Sequence, residues 1–439
     1  MDSVARGTLV NLGTRIGALV GVLSITVITA RLGPAQQGAF ALFTSVEGGL
    51  LALLSGFGVA LARRVSHHGE QPRALLSAML LCCVALGVVA GGLLWAVSHG
   101  GPPAYASLWL LALAAPVLLL APNAVGWWLG EGRMAPIARL TLAPPWLALA
   151  ALGLLWSLQH TGLMSVLGAW VGAKVLVGLG LLWVLWRSRR LAAPGWAALR
   201  EQVPFVATIG ITNLISLLNY RVGLFVVERV MGLSATGVYS IAVVAAELLW
   251  LVSSSLTQAT YSRIGTPDRA TAAATTVRVV QLSVVALLLA APALWLAARS
   301  LVPWLLGPVY APSVALLAVL LPGVLLFGGA SALSAYFTNH AGAPKVPARV
   351  AATSLVLNGA LSLAWVPMWG MAGAALAAHL PAWGDAPLHI LVGMKAGKGA
   401  ADFIVSAGVL VSADAPPAAA APQAEAIRFK CARSNGSRP

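Results

Sequence analysis

Five ionisable side chains stand inside long apolar runs of this sequence: Arg15, Glu47, Lys174, Arg221 and Glu247. An ion at the centre of a membrane helix costs at least ~2.5–3.5 kcal/mol unless it faces a cavity or a partner, which makes these residues the first candidates for chemistry. Arginine grips phosphate oxygens with a planar fork that stays charged. Arg15, Lys174 and Arg221 would therefore draw an anionic ligand into a poorly hydrated cavity. Glu47 and Glu247 would load and release a coupling proton or sodium ion, and Asn213 and Asn219 would hydrogen-bond polar groups of the ligand. Each residue also has a structural reading. Arg15 and Arg221 lie near enough to span ends to snorkel to the headgroups. The carboxylates and Lys174 can serve as ion pairs that only hold helices together, and the asparagines can bond between helices.

Other chemistries find no residues. No HExxH, Walker or ordered Ser/His/Asp set stands out, so the chain reads as no enzyme, with no cofactor and no metal. His67 and His68 sit in a basic loop and read as a solvated pair, while Gly178-Leu179-Gly180 lies inside a span and is no phosphate loop. Cys82 and Cys83 are adjacent and Cys431 is remote, which gives neither a disulfide framework nor a CxxC pattern.

The elements that must position the charges are membrane helices. Only 9% of the 439 residues are charged, against roughly 25% in a soluble domain. With 59% hydrophobic residues and a mean hydropathy of +0.88, a water-soluble fold would expose one continuous apolar patch. The apolar runs suit helices crossing a ~30 Å core and lack the alternation of a barrel strand. They fall at 8–30, 38–62, 74–97, 106–129, 136–157, 162–186, 205–227, 235–257, 279–298, 312–337 and 350–366, with a doubtful twelfth from Gly370. The first reads as an uncleaved span. The net charge of +15 does not indicate nucleic acid, because the basic residues are scattered over short loops with no stripe of interleaved aromatics. Trp95, Trp127, Trp128, Trp183 and Trp186 read as an aromatic belt near span ends. GxxxG pairs at Gly17/Gly21, Gly87/Gly91, Gly126/Gly130 and Gly168/Gly172 read as close helix contacts.

The basic residues orient the chain. Alternate segments, beginning with the N-terminus, carry Arg6; Arg63, Arg64 and Arg73; Arg133 and Arg139; Arg187, Arg189, Arg190 and Arg200; Arg263, Arg269 and Arg278; Lys345 and Arg349. The opposite segments carry only Arg31, Arg229 and Arg299. The positive-inside rule then places the N-terminus in the cytoplasm. The chain also repeats. At an offset of 199, Gly33 matches Gly232, Gly38 matches Gly237, Phe40 matches Tyr239 and Arg64 matches Arg263. Six spans separate the equivalents, so the halves share one orientation, related by a pseudo-two-fold along the membrane normal. The organisation expected is an N-terminal six-helix bundle over 1–190, a cytoplasmic linker over 191–204, and a C-terminal bundle over 205–380 with a partial sixth helix. A disordered tail is expected over 381–439, where the apolar pattern fails and PPAAAAPQAEA begins low complexity. The short twelfth helix reads as a truncated span or as a departure of the reading frame near residue 380.

The opening NLGTRIGALVGVLSITVITARLGPAQQGAFALF resembles that of bacterial polysaccharide exporters, the O-antigen and exopolysaccharide flippases of the multidrug/oligosaccharidyl-lipid/polysaccharide superfamily. NYRVGLFVVERVMGLSATGVYSIA at 219–242, LLGPVYAPSVALLAVLLPG at 305–323 and AGAPKVPARVAATSLVLNGALSLAWVPMWGMAGAALA at 341–377 extend the resemblance through residues 8–377. It departs from the family at Gly223, where an Asp often follows the seventh-span arginine, and in its shortened twelfth span. The resemblance implies an all-α polytopic membrane protein of two six-helix bundles around a central cavity, lined by the first, second, seventh and eighth helices. It implies transport of an undecaprenyl-diphosphate-linked oligosaccharide across the inner membrane for polysaccharide biosynthesis. Membrane lipid, a polysaccharide polymerase and other assembly-pathway proteins would be further partners. A drug/cation antiporter of the same fold, or an inactive truncated exporter, are the alternatives. Three basic against two acidic intramembrane residues tilt the choice toward an anionic substrate.

Overall fold

The computed structural model describes residues 3–68, 72–264, 266, 268–341 and 345–378. Among them eleven helices are long and apolar enough to cross a membrane, and no strand occurs. The spans are Gly13–Arg31, Pro34–Val65, Arg73–Gly100, Pro103–Gly130, Met134–Ser157, Leu163–Arg187, Trp196–Met231, Leu233–Gln258, Ala270–Leu306, Pro308–Ala335 and Lys345–Trp369, and ordinals below follow this order. All eleven apolar runs become spans of a multi-pass membrane protein. The seventh and ninth outgrow their runs because turns carrying charged residues, Arg200 and Glu201 in the one and Arg269 and Arg278 in the other, continue the helix past the apolar limit. Residues 196–204 of the stretch read as a linker are accordingly helical, starting after Gly195, whose amide donates to the Ala74 carbonyl at 2.9 Å. Lipid-facing side chains such as Leu93 (67% exposed) and Leu289 (72%) point outward, as a bilayer solvent allows.

Pairing of the helices repeats from half to half. The third packs on the fourth as the ninth packs on the tenth, the second on the fourth as the eighth on the tenth, and the first on the fifth as the seventh on the eleventh. Two apolar cores fill the first half, one around Phe43 and Trp170 and one around Leu76 and Trp127; a third fills the second half around Val227, Leu287 and Tyr310. The repeat-related Gly33 and Gly232 both precede a span with positive φ, +125° and +82°, a conformation that favours glycine. Residues 371–378 form a further short helix after a turn at Gly370, and Ala374 and Ala375 enter the second-half core. The remainder of the expected twelfth span and the tail over 381–439 lie outside the described residues.

Two expectations of detail need correction. Trp95, Trp183 and Trp186 are 46%, 58% and 69% exposed and suit a belt, but Trp127 and Trp128 are 1% and 6% exposed and belong to the core. Of the four GxxxG pairs, three meet another helix closely, whereas added Cβ atoms at Gly168 and Gly172 would meet open space.

Candidate functional site

Two intramembrane ion pairs organise the charges. Glu47 of the second span receives Lys174 Nζ at 2.6 Å and Trp170 Nε1 at 2.8 Å, both from the sixth span. Lys174 also lies over the Trp170 ring, 3.9 Å from its centroid, which suits a cation stacked on an aromatic face one helical turn away. Glu47 is 3% exposed, so both its oxygens are satisfied inside the first half. In the second half Arg221 Nη2 stands 3.0 Å from Glu247 Oε1 and 3.1 Å from Oε2. The two near-equivalent carboxylates are thus neutralised from non-equivalent helices, the sixth and the seventh.

A cavity of about 580 Å³ lies between the halves. The first span contributes Leu19, Val22 and Thr26; the second Gln37, Phe40 and Thr44; the seventh Tyr220 and Arg221; the eighth Ser240, Glu247, Trp250 and Ser254. Trp170 reaches its wall from the sixth. The wall holds one cation and one anion, already paired, so it carries no net formal charge. That removes the electrostatic excess that counting intramembrane charges along the sequence had implied.

Of the residues singled out in the sequence, Arg221 and Glu247 meet on this wall. Glu47 and Lys174 meet behind it, screened by Trp170. Arg15 is half-buried on the first span and pairs with no carboxylate among the described residues. Asn213 is exposed and donates to Ser55 Oγ at 2.8 Å, where the second span breaks between Leu54 and Gly56. Asn219 offers its carbonyl to Asn358 Nδ2 at 2.7 Å, joining the seventh and eleventh spans. Arg15, Lys174, Asn213 and Asn219 do not line the cavity.

One membrane face, that of the Gly33, Gly232 and Gly307 turns, is closed by a reciprocal seam. Cβ atoms added at Gly38 would fall 2.9 Å from the Leu233 carbonyl carbon, and at Gly237 2.8 Å from that of Pro34. Leu233 and Pro34 are themselves repeat equivalents, so each half presents the same surface to the other, as a two-fold demands. Tyr105 and Tyr310, each in the short 3-10 turn that opens the fourth and tenth spans, add a second reciprocal contact. Tyr105 Oη donates to Glu228 Oε2 at 3.0 Å, and Tyr310 Oη to the Ala30 carbonyl at 3.0 Å. Arg31 donates to the carbonyls of Trp304, at 2.9 Å, and Leu305. Sequence reasoning missed these tyrosines; the Gly-Pro-Pro-Ala-Tyr at 101–105 and Gly-Pro-Val-Tyr at 307–310 were the signal that could have found them.

Toward the opposite, arginine-rich face the two-fold is broken. The second span packs on the seventh, with Gly56 against Val206 and Gly210 against Leu53, and Arg64 meets Glu201 at 3.0 Å. The equivalent pairing of the eighth span on the first is missing from the packed pairs among the described residues. The cavity is therefore flanked by a closely packed helix pair on one side and by a loosely paired one on the other.

No protein-family model and no curated protein sequence matches the chain. Solved structures do. An inward-facing multidrug resistance MATE family transporter of the MOP superfamily superposes with a TM-score of 0.73 at 17% identity, over 89% of this chain and 98% of that one. Its outward-facing form gives 0.64 at 17%, over 89% and 93%. The lipid II flippase MurJ, in an inward closed conformation, gives 0.69 at 13% over 92% and 90%. The chain thus shares the all-helical membrane fold of these structures, with eleven candidate spans among the described residues.

Proposed function

We propose that this protein flips a lipid-linked, diphosphate-bearing oligosaccharide across the inner membrane for O-antigen, capsule or exopolysaccharide synthesis, by ion-coupled alternating access, with its N-terminus in the cytoplasm. The observation that carries this reading is the Arg221–Glu247 pair on the wall of a cavity that the first and eighth spans, only loosely paired, both line. A diphosphate head fits the guanidinium fork, and a lipid tail would pass between the loosely paired first and eighth spans. Because the pair is neutral at rest, Arg221 must exchange one anion for another. A proton arriving on Glu247 frees the guanidinium for the diphosphate, and its departure restores the pair and releases the head. Proton and substrate then load together. Trp170, Tyr220 and Trp250 offer ring faces, and Ser254 a hydroxyl, to the sugars.

A cationic-drug antiporter is the second reading, favoured by Glu247 in a largely apolar cavity and by a fold shared with multidrug transporters. One assay separates the two. Proteoliposomes of phosphatidylethanolamine and phosphatidylglycerol receive a fluorescently labelled polyprenyl-diphosphate N-acetylglucosamine, and dithionite reports its translocation. Wild type is expected to accelerate flipping, and Arg221→Ala, normally inserted, to abolish the gain. Flipping at the protein-free rate, together with proton-driven uptake of a cationic dye, would establish the antiporter. Neither activity would mark an inactive exporter.

A further inference from the structure

Gln37 is 1% exposed and sits where the cavity meets the closed seam, one residue before Gly38. Its Nε2 lies 3.2 Å from Ser240 Oγ on the eighth span. Ser240 gives its only proton to the Gly237 carbonyl at 2.7 Å, so it must accept from Gln37, which fixes the orientation of the amide. Gln37 Oε1 is then an acceptor, and it has no partner among the described residues. Cavity hydroxyls do not supply one. Thr26 donates to the Val22 carbonyl at 3.0 Å, and Thr44 to those of Phe40 at 3.0 Å and Ala41 at 3.1 Å.

We infer that Gln37 Oε1 is a specificity determinant of the cavity, accepting a hydrogen bond from a hydroxyl or acylamino N–H of the ligand's sugar. The inference rests on the cavity being the substrate site. A buried acceptor without a donor is costly to leave unmade. A site built around one rejects ligands that lack the donor far more strongly than an apolar pocket rejects an extra group. The same amide holds the second and eighth spans together through Ser240, so the sugar would be read at the joint that must part for release.

The test compares two probes of equal charge, the terminal methyl ester of farnesyl diphosphate and farnesyl-diphosphate N-acetylglucosamine, by quenching of tryptophan fluorescence in the purified full-length protein. Their affinity ratio cancels the diphosphate and tail contributions. Wild type is expected to favour the sugar-bearing probe by about three- to ten-fold, the range of one neutral hydrogen bond. Gln37→Met, similar in shape, brings the ratio to about one, while Gln37→Glu, which keeps an acceptor, preserves the preference. If Gln37→Met does not purify, Gln37→Asn, which withdraws the acceptor by one methylene, is held to the same result. An unchanged ratio in Gln37→Met, or equal loss in Gln37→Met and Gln37→Glu, overturns the inference and leaves the flippase reading standing. Binding of neither probe to wild type overturns both.

Discussion

Alanine at Gly38 is expected to unseal the Gly33 face. The new methyl carbon would stand 2.9 Å from the Leu233 carbonyl carbon and 3.0 Å from the Gly237 nitrogen. Comfortable separations are ~3.5–4.0 Å. Every atom it meets is backbone, so no rotamer change relieves the overlap and the second and eighth spans must part. Overpacking of this kind costs about 1–3 kcal/mol, which displaces a two-state equilibrium by about 5- to 150-fold. Spin labels at His99→Cys and Ser300→Cys, near this face on the third and ninth spans, follow the opening by pulsed electron paramagnetic resonance once Cys82, Cys83 and Cys431 are replaced. Gly38→Ala should move the distance distribution to longer values. Gly92→Ala is the control, since a Cβ there meets nothing within 4 Å. An unchanged distribution in well-folded Gly38→Ala would refute the claim that backbone contact at this seam holds the face closed.

Three further outcomes follow from the contacts described. Tyr105→Phe and Tyr310→Phe each remove one cross-half hydrogen bond worth about 1 kcal/mol; the same spin-label pair should show additive, smaller shifts toward opening. Lys174→Met leaves the 3%-exposed Glu47 without its cation and should destabilise by about 3 kcal/mol. The double variant with Glu47→Gln should recover most of that in detergent melting curves; simple addition of the two losses would show that the pair is uncoupled. Glu131 lies just beyond the fourth span. Burial works to raise its carboxyl pKa, but hydrogen bonds from Trp127 and Arg190 and the Arg190 charge outweigh it and hold it below the usual carboxylate value. Its stabilising contribution is therefore full above an ordinary glutamate pKa of about 4.3 and lost as pH falls through the depressed folded value. Glu131→Gln should remove that acid-side loss from melting curves recorded between about pH 3 and pH 6.

Much of the architecture was legible because a bilayer makes hydropathy nearly sufficient to locate its helices. The repeat was legible for a related reason: Gly33 and Gly232 answer a backbone requirement, and Gly38 and Gly237 a contact distance, and neither tolerates another residue well. The site was less legible. Ion pairing was one of the readings open for Glu47, Glu247 and Lys174, but which cation meets which carboxylate was not legible, because a partner on another helix leaves no mark on local sequence. Asn213 and Asn219 bond between or across helices, a use that residue type does not distinguish from ligand binding. Gln37 escaped notice because it stands at a span start, where polar residues are ordinary. Only the commitment of the Ser240 proton to Gly237 makes its carbonyl oxygen unusual. Trp127 and Trp128 were misread for the converse reason, since a position near a span end does not reveal which way a ring points.

The loose pairing of the first and eighth spans among the described residues bears on the thermodynamic cost of crossing for the proposed cargo. Moving a hydrocarbon chain out of lipid costs about 0.8 kcal/mol per methylene, so even ten carbons would demand about 8 kcal/mol. A fully walled cavity would have to extract the whole tail of a lipid-linked cargo into an aqueous chamber. Where the loosely paired flank parts, the tail of the proposed lipid-linked cargo would trail between the two spans and stay dissolved in the membrane throughout, like a card drawn through a reader. Only the polar head then needs protein around it, and a chamber of a few hundred cubic ångströms is no longer small for a cargo much larger than itself.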